Sequence, residues 1–107
     1  MRSAAYILLP AGDMSKTIIS PSIEISQLSI VSVQCVWTGN PVGNLILQAS
    51  DMGDFYSDIS PSLIAVNGPG DIIYTVSGFG YFYLQVYYQF INNSGTMKIT
   101  VGKKGPS

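Results

Sequence analysis

The sequence contains no histidine and a single cysteine, Cys35. Histidine is the commonest general base and the commonest transition-metal ligand, so catalytic sites of the serine-histidine and cysteine-histidine types are excluded. One cysteine excludes an internal disulfide framework and a cysteine-based zinc site. Because Cys35 is in phase with the apolar residues Val33 and Trp37, it is expected in the core rather than as a nucleophile. These absences predict a protein that is not an enzyme and that carries no cofactor or catalytic residue.

Charge is also scarce. Charged residues make up 10% of the chain, with five Lys and Arg against six Asp and Glu, whereas a typical soluble domain carries about 25%. Nucleic-acid binding requires clustered Lys and Arg, so no nucleic-acid partner is expected. No run reaches the roughly 18 apolar residues of a membrane-spanning helix, so no membrane partner is expected. The apolar segment 4–9 is shorter than the roughly 7 to 15 residues of a signal-peptide core, which disfavours secretion.

What the sequence has in abundance is the period-two alternation of apolar and polar residues that marks half-buried strands. It predicts an all-β protein, an antiparallel β-sandwich of jelly-roll-like or immunoglobulin-like connectivity with about six to eight short strands. Residues 31–37 and 45–50 are separated by turn formers and are predicted to form a hairpin. A second hairpin is predicted between residues 81–91 and 96–101.

The length allows one domain. We divide it into an N-terminal arm (residues 1–14), a sandwich domain (15–102) and a flexible polar tail (103–107). Tyr6, Ile7 and Leu8 in the arm are predicted partner contacts, because this apolar strand could be exchanged with a neighbour and add to its sheet.

Two segments of the sequence repeat each other. Residues 19–23 read Ile-Ser-Pro-Ser-Ile, and residues 59–63 read Ile-Ser-Pro-Ser-Leu. The residues that follow do not match, so the repeat predicts one local device used twice, a Ser-Pro entry into a strand, rather than a duplicated domain.

The strand predicted over residues 81–91 is bulky on both faces. One face is apolar and suits a core, while the other combines tyrosine with glutamine. Tyrosine is enriched at protein interfaces and charge is depleted from their centres, so this second face is a predicted partner interface: Tyr81, Tyr83, Gln85, Tyr87 and Gln89. Two alternatives remain open. Loops or a second sheet of the same subunit cover the face, or it is a carbohydrate platform in which Trp37, Tyr83 or Tyr87 stacks on a sugar.

The acidic residues Asp51, Asp54 and Asp58 lie in one loop-like segment. Their spacing does not match the alternating ligands of an EF-hand loop, and loop aspartates commonly bond their own backbone and shape turns. Turn formation is therefore favoured over a calcium site, and a hydrolase built on these carboxylates is the weakest reading.

The segment 33–51, which runs from a strand ending in Trp-Thr-Gly through a Pro-Val-Gly loop to a strand ending in Ala-Ser-Asp, resembles small β-sandwich structural proteins of tailed bacteriophages. Residues 77–86, Ser-Gly-Thr at 94–96 and Lys-Lys-Gly at 103–105 are similar to the same group. The resemblance implies a virion component such as a capsid decoration, neck or tail protein, assembled in the host cytoplasm. It implies a homo-oligomer or a partner among other virion proteins, and it brings no catalytic residues.

Overall fold

The computed structural model describes residues 2–24, 30–52, 55–59, 62–77 and 83–105, and every regular element among them is a β-strand. Within this part of the chain, no helix is long and apolar enough to cross a membrane. The strands are β1 (Arg2–Asp13), β2 (Ile18–Ile19), β3 (Ile23–Glu24), β4 (Ile30–Gly39), β5 (Val42–Ser50), β6 (Ser57–Asp58), β7 (Ile64–Asn67), β8 (Gly70–Ser77), β9 (Tyr83–Asn92) and β10 (Gly95–Gly105).

The strands form two antiparallel sheets. Sheet A has the order β1-β10-β4-β8, and in sheet B the central strands β9 and β5 are flanked by β2 and β3 on one side and by β6 and β7 on the other. β2 and β3 are two pieces of one interrupted edge strand, and so are β6 and β7. Counted in this way, the described residues form four strands in each layer. When each interrupted edge is counted as one strand, the order of the strands in the two sheets is that of a jelly roll. The predicted all-β sandwich is confirmed, and the jelly-roll order replaces the immunoglobulin-like alternative.

The core lies between the sheets and follows from the alternation in the central strands. In β4 the inward residues Val31, Val33, Cys35 and Trp37 are buried, and they face Leu45 and other apolar residues of sheet B. Fully burying an aliphatic side chain stabilises the fold by about 1.5 to 3 kcal/mol, so this alternation fixes which side of each strand faces inward. The buried core residues of the remaining elements are Met14, Ile18, Ile23, Leu47, Ala49, Val66, Tyr74, Leu84, Val86, Tyr88, Met97, Ile99 and Val101.

Both predicted hairpins are wrong. β4 and β10 belong to sheet A, whereas β5 and β9 belong to sheet B, so the connections after β4 and after β9 cross from one sheet to the other. The turns that make these crossings include residues with positive φ, 90° at Gly39 and 61° at Asn93. A hairpin would place two successive strands side by side, whereas the crossing lets their apolar faces meet across the core.

Four of the connections that cross between the sheets meet at one end of the sandwich, where backbone hydrogen bonds join them. The N–H of Asn40 donates to Ser94 O at 3.1 Å, the N–H of Gly68 donates to Pro41 O at 3.0 Å, and the N–H of Met14 donates to Gly95 O at 3.0 Å. These bonds connect the links β1 to β2, β4 to β5, β7 to β8 and β9 to β10. This end is therefore held by bonds between turns that are remote in sequence.

The first Ser-Pro segment, and the described residues of the second, lie at the breaks in the two edges of sheet B. In the first break, Ser20 bonds the backbone of Val86 in β9. In the second, the hydroxyl of Ser62 accepts the N–H of Leu47 in β5 at 3.1 Å. A serine hydroxyl thus replaces the missing strand carbonyl in both breaks, but from different positions of the repeat, since Ser20 precedes its proline in sequence and Ser62 follows its own. Ser60 and Pro61 lie outside the described residues.

Residues 2–13 of the predicted arm form β1, which pairs with β10 of the same chain. Residues 103–105, expected in a flexible tail, continue β10 because β1 pairs with them on one side and Ile30 and Val31 of β4 lie beside Lys103 and Lys104 on the other. Exchange of β1 with a neighbouring subunit stays a prediction.

Candidate interaction surface

The predicted Tyr and Gln face is the outer face of sheet B. Leu84, Val86 and Tyr88 are buried, whereas Tyr83, Gln85 and Tyr87 are half-buried and Gln89 is exposed. The alternation predicted for β9 is therefore confirmed over the described residues. Tyr81 lies outside them.

Side chains from β5 stand directly opposite those of β9 and divide this face into rows. Gln85 Nε2 donates to Gln48 Oε1 at 2.7 Å, and Gln48 Nε2 donates to Asp58 Oδ1 at 2.8 Å. One end of this row is thus a carboxylate on β6. In a parallel row, Asn44 Nδ2 donates to Gln89 Oε1 at 3.2 Å. The amides hold one another in place across strands.

Between the two amide rows lies an apolar row. Tyr87 pairs with Ile46 of β5 on one side and with Ile19 of β2 on the other. Ile19 is 60% exposed. An aromatic ring and two isoleucines thus form a continuous apolar strip across three strands, with hydrogen-bonded amides above and below it.

Charge is confined to the borders of this face in the part of the chain that the structure describes. Glu24 of β3 stands beside Tyr83 at one edge, and Asp58 of β6 ends the glutamine row at the other. The centre of the face is uncharged and its border is acidic. An apolar and aromatic centre with a polar rim is the usual composition of a protein interface.

The contribution of β5 and the edge strands to this face is not evident from the sequence. The alternation along residues 42–50 indicates that Asn44, Ile46 and Gln48 share a face, but it does not indicate that β5 pairs with β9. That pairing joins segments about forty residues apart in sequence, and it makes one surface of two strands.

The predicted contacts in the arm belong to a different surface. Tyr6, Ile7 and Leu8 lie on β1 at the edge of sheet A, away from the Tyr and Gln face on sheet B. They do not share one face either. Ile7 is 54% exposed, Leu8 packs against the core, and Tyr6 lies beneath the ammonium of Lys103 at 5.7 Å from the ring centroid. Partial burial raises the pKa of Tyr6.

Lys103 connects the two sheets at the end of the sandwich opposite the crossing turns. Its Nζ donates to the carbonyl oxygen of Glu24 at 2.5 Å and so joins β10 of sheet A to β3 of sheet B. The predicted tail therefore contributes a contact between the two layers.

Trp37 is a core residue. It is 6% exposed, and its indole N–H donates to the carbonyl oxygen of Gly68 at 2.8 Å. Gly70 lies against the ring, since a Cβ at that position would come within 3.0 Å of it. Burial is inconsistent with the predicted stacking of Trp37 on a sugar, because stacking requires an accessible ring face.

Cys35 is buried as predicted, and burial raises the pKa of its thiol to about 12. It stays protonated at neutral pH and lacks the reactivity of a catalytic thiolate. Of the acidic cluster, Asp51 is exposed beside a shallow cleft with Met52 and Phe55, Asp58 is engaged by Gln48, and Asp54 lies outside the described residues. Among the described residues, no three His, Cys, Asp or Glu side chains lie close enough to hold a metal ion.

No protein-family model matches this sequence. No curated protein matches it either. Solved structures with the same fold include the following two. The SPBc2 prophage-derived protein YomS superposes with a TM-score of 0.65 at 10% identity, over 94% of this chain and 93% of that one. A protein of the Bacillus endospore appendages, which form a family of disulfide-linked pili, superposes with a TM-score of 0.53 at 13% identity, over 99% of this chain and 85% of that one. At these identities the likeness establishes a shared fold.

Proposed function

We propose that this chain is a non-enzymatic structural protein of a phage particle, assembled in the host cytoplasm, which self-associates or binds neighbouring capsid or tail subunits through the outer face of sheet B. The observation that carries the proposal is the uncharged strip of Ile19, Tyr87 and Ile46 between hydrogen-bonded amide rows. Solvent-facing sheet surfaces normally carry polar and charged residues, so this composition is better suited to a covered surface.

The amide rows also reduce the entropy that association must overcome. Ordering a long side chain at an interface costs about 0.5 to 1.5 kcal/mol. Gln48 and Gln85 are already ordered by their mutual bond and by Asp58. The face is therefore preorganised for a contact that is repeated many times in an assembly.

The structures with the same fold agree with this role, since one is prophage-derived and the other belongs to pili. Those pili are disulfide-linked. In this chain the single cysteine is buried, so we expect association through non-covalent contacts.

The test is light scattering coupled to gel filtration over a series of protein concentrations. The wild-type chain is expected to form species larger than a monomer. Tyr87→Lys places a charge in the centre of the strip and is expected to weaken association at least about tenfold, the loss typical of a hot-spot residue. Gln34→Lys, on the exposed outer face of sheet A, is the matched control and is expected to associate like the wild type. A wild-type chain that stays monomeric contradicts the self-association.

The carbohydrate-binding alternative depends on Tyr83 and Tyr87 now that Trp37 is placed in the core. Jelly rolls do serve as lectin domains. Glycan binding measured on the same variants distinguishes the two functions. Glycan binding by a monomer that is lost in Tyr87→Lys and retained in Gln34→Lys would favour the lectin.

A further inference from the structure

We propose that copies of this chain join edge to edge through sheet A, with the free edge of β8 in one copy pairing antiparallel with the free edge of β1 in the next. This rests on the proposed function in one respect, that the partner is a second copy. The contact between copies proposed here lies at the edges of sheet A, away from the Tyr and Gln face on sheet B.

The edge strands of sheet B are interrupted, whereas β8 at the edge of sheet A is continuous. Both edges of sheet B are broken, between β2 and β3 and between β6 and β7, and at each break a serine hydroxyl bonds the adjacent central strand. Short, interrupted edge strands are a common defence against pairing with another chain. Sheet B is therefore protected against strand addition.

Sheet A lacks this protection along β8. The strand pairs with β4 from Gly70 to Ser77 without a register shift. It contains no proline and one charged residue, Asp71. Among the described residues, no strand pairs with its other edge. An uninterrupted edge rich in β-branched residues is a template for a further strand.

The other edge of sheet A, β1, offers a partner of suitable length. From Arg2 to Ile7 it pairs with β10 without a shift, and its register changes begin only after Ile7, ahead of Pro10. Six residues span about 20 Å at roughly 3.3 Å per residue, the length of an ordinary strand. Residues 2–7 of β1 can therefore pair with a strand of another copy along their free edge.

The directions of these two edges are compatible. Each neighbour in sheet A is antiparallel to the next, so β1 and β4 run one way while β10 and β8 run the other. A second copy in the same orientation therefore places its β1 antiparallel to β8 of the first. Each added copy presents a new free β8, so the contact is head-to-tail and generates a ring or a filament.

The side chains at the two edges also match. Ile7 of β1 and Ile73 of β8 stand at opposite ends of one row across the outer face of sheet A, with Thr100 and Gln34 between them. They are 54% and 59% exposed. If the sheet continues in register, they become cross-strand neighbours with Cβ atoms about 4.5 to 5.5 Å apart. Both isoleucines would then be covered.

On the inner side of the same sheet, Tyr6 and Tyr74 stand at the two ends of the adjacent row. Tyr6 is 40% exposed, and edge pairing would bring its ring beside Tyr74 of the neighbouring copy. Two of the contacts predicted in the arm, Tyr6 and Ile7, thus acquire specific partners on β8.

The test uses two variants that each block one edge. Ile73→Lys places a charge on β8 and Ile7→Lys places one on β1, both at exposed positions. Each variant alone is expected to lose the edge-to-edge assemblies of the wild type, while any association through the Tyr and Gln face remains. Mixed in equal amounts they are expected to form a dimer of one chain of each, because the intact β8 of one meets the intact β1 of the other. Gln34→Lys, in the same row but in a central strand, is expected to assemble like the wild type, as measured by sedimentation velocity.

A second measurement uses cysteine. Under mild oxidation, Ile7→Cys with Ile73→Cys in one chain is expected to give a ladder of cross-linked multimers on a denaturing gel, while either cysteine alone gives none. Cross-linked dimers from Ile73→Cys alone would show a twofold contact between two β8 strands and overturn the proposal. So would a mixture of the two lysine variants that forms no dimer of one chain of each. If the wild type assembles and neither lysine affects it, the edge pairing is wrong while the proposed self-association stands; a monomeric wild type removes both.

Discussion

Ser20 and Val86 exchange two hydrogen bonds across the break in the edge of sheet B. The N–H of Ser20 donates to the carbonyl oxygen of Val86 at 2.9 Å, and the N–H of Val86 donates to the hydroxyl of Ser20 at 2.8 Å. The hydroxyl in turn donates to the carbonyl oxygen of Pro21 at 3.0 Å. One side chain thus completes the backbone bonding of a central strand where the edge strand is interrupted.

Ser20→Ala is therefore expected to lower the free energy of unfolding by about 1 to 3 kcal/mol, because it leaves the buried N–H of Val86 without an acceptor. The matched control is Ser22→Ala, two residues away. The hydroxyl of Ser22 bonds the Tyr56 hydroxyl at an exposed position, where water can replace it. Urea denaturation of the two variants measures the difference, and equal losses would contradict the role of Ser20.

Two buried tyrosines are expected to respond differently to loss of the hydroxyl. Tyr74 Oη donates to the carbonyl oxygen of Ser62 at 2.7 Å, so Tyr74→Phe is expected to destabilise the protein by about 1 kcal/mol. The Tyr88 hydroxyl is buried without a hydrogen-bond partner among the described residues, and burial raises its pKa. Tyr88→Phe removes this desolvated group and is expected to leave stability unchanged or higher. A larger loss for Tyr88→Phe than for Tyr74→Phe in thermal melts would refute this.

The crossing turns contain two glycines with positive φ but different surroundings. Gly39 has φ +90°, and a Cβ there would lie 2.8 Å from both Gly95 Cα and Ser94 O. Gly68 has φ +84° with no atom within 4 Å of such a Cβ. Gly68→Ala is expected to cost about 1 to 2 kcal/mol from the left-handed backbone alone. Gly39→Ala adds steric overlap and is expected to cost about 1 to 3 kcal/mol more. Chemical denaturation ranks the two, and equal losses would show that the turn at Gly39 relaxes.

Stability is expected to fall in alkaline solution because of Cys35. Its thiol has an ordinary pKa of 9.0, raised by burial to about 12 in the folded chain. The unfolded chain therefore releases the proton first. The stabilising contribution is complete below pH 9 and declines as the pH rises toward 12, by at most about 1.4 kcal/mol per pH unit.

The check is the free energy of unfolding measured from pH 8 to pH 10 for the wild type and for Cys35→Ala. The variant is expected to be less stable overall but to show the shallower decline. Burial, and next the charge of an ionised Cys35, raise the pKa of Tyr74, so the difference between the two profiles reports the thiol together with this coupling. Parallel pH profiles would mean that the thiol is accessible to water in the folded state.

The inward and outward sides of the central strands are predictable from sequence, because alternation reflects a local choice between core and solvent. The sheet that each strand joins is not. Gly39 and Asn93 are ordinary turn residues, and both a hairpin and a crossing turn use them. The choice between the two depends on remote neighbours, since β10 and β8 occupy both sides of β4 and leave no edge for β5.

The candidate surface likewise has one part that the sequence predicts and another that depends on strand pairing. The face formed by Tyr83, Gln85 and Tyr87 follows from period-two alternation within one strand. The neighbouring Ile46 and Gln48 become part of it only through pairing between β5 and β9. Trp37 looks equally suited to a core or a ligand site in the sequence, and its burial is settled by the link from β7 to β8, whose Gly68 accepts the indole hydrogen bond.

The place of β10 in sheet A has a consequence for how the protein is made. Among the described strands it is the last in sequence, yet it lies between β1 and β4. While the chain emerges from the ribosome, β1 therefore has no neighbour and β4 has a free side until β10 is synthesised. Folding dominated by such distant pairings is slow, in the millisecond to second range typical of β-sandwiches. Sheet A therefore cannot be completed, and the apolar strands next to the place of β10 stay exposed to chaperones and to aggregation, until β10 has been synthesised.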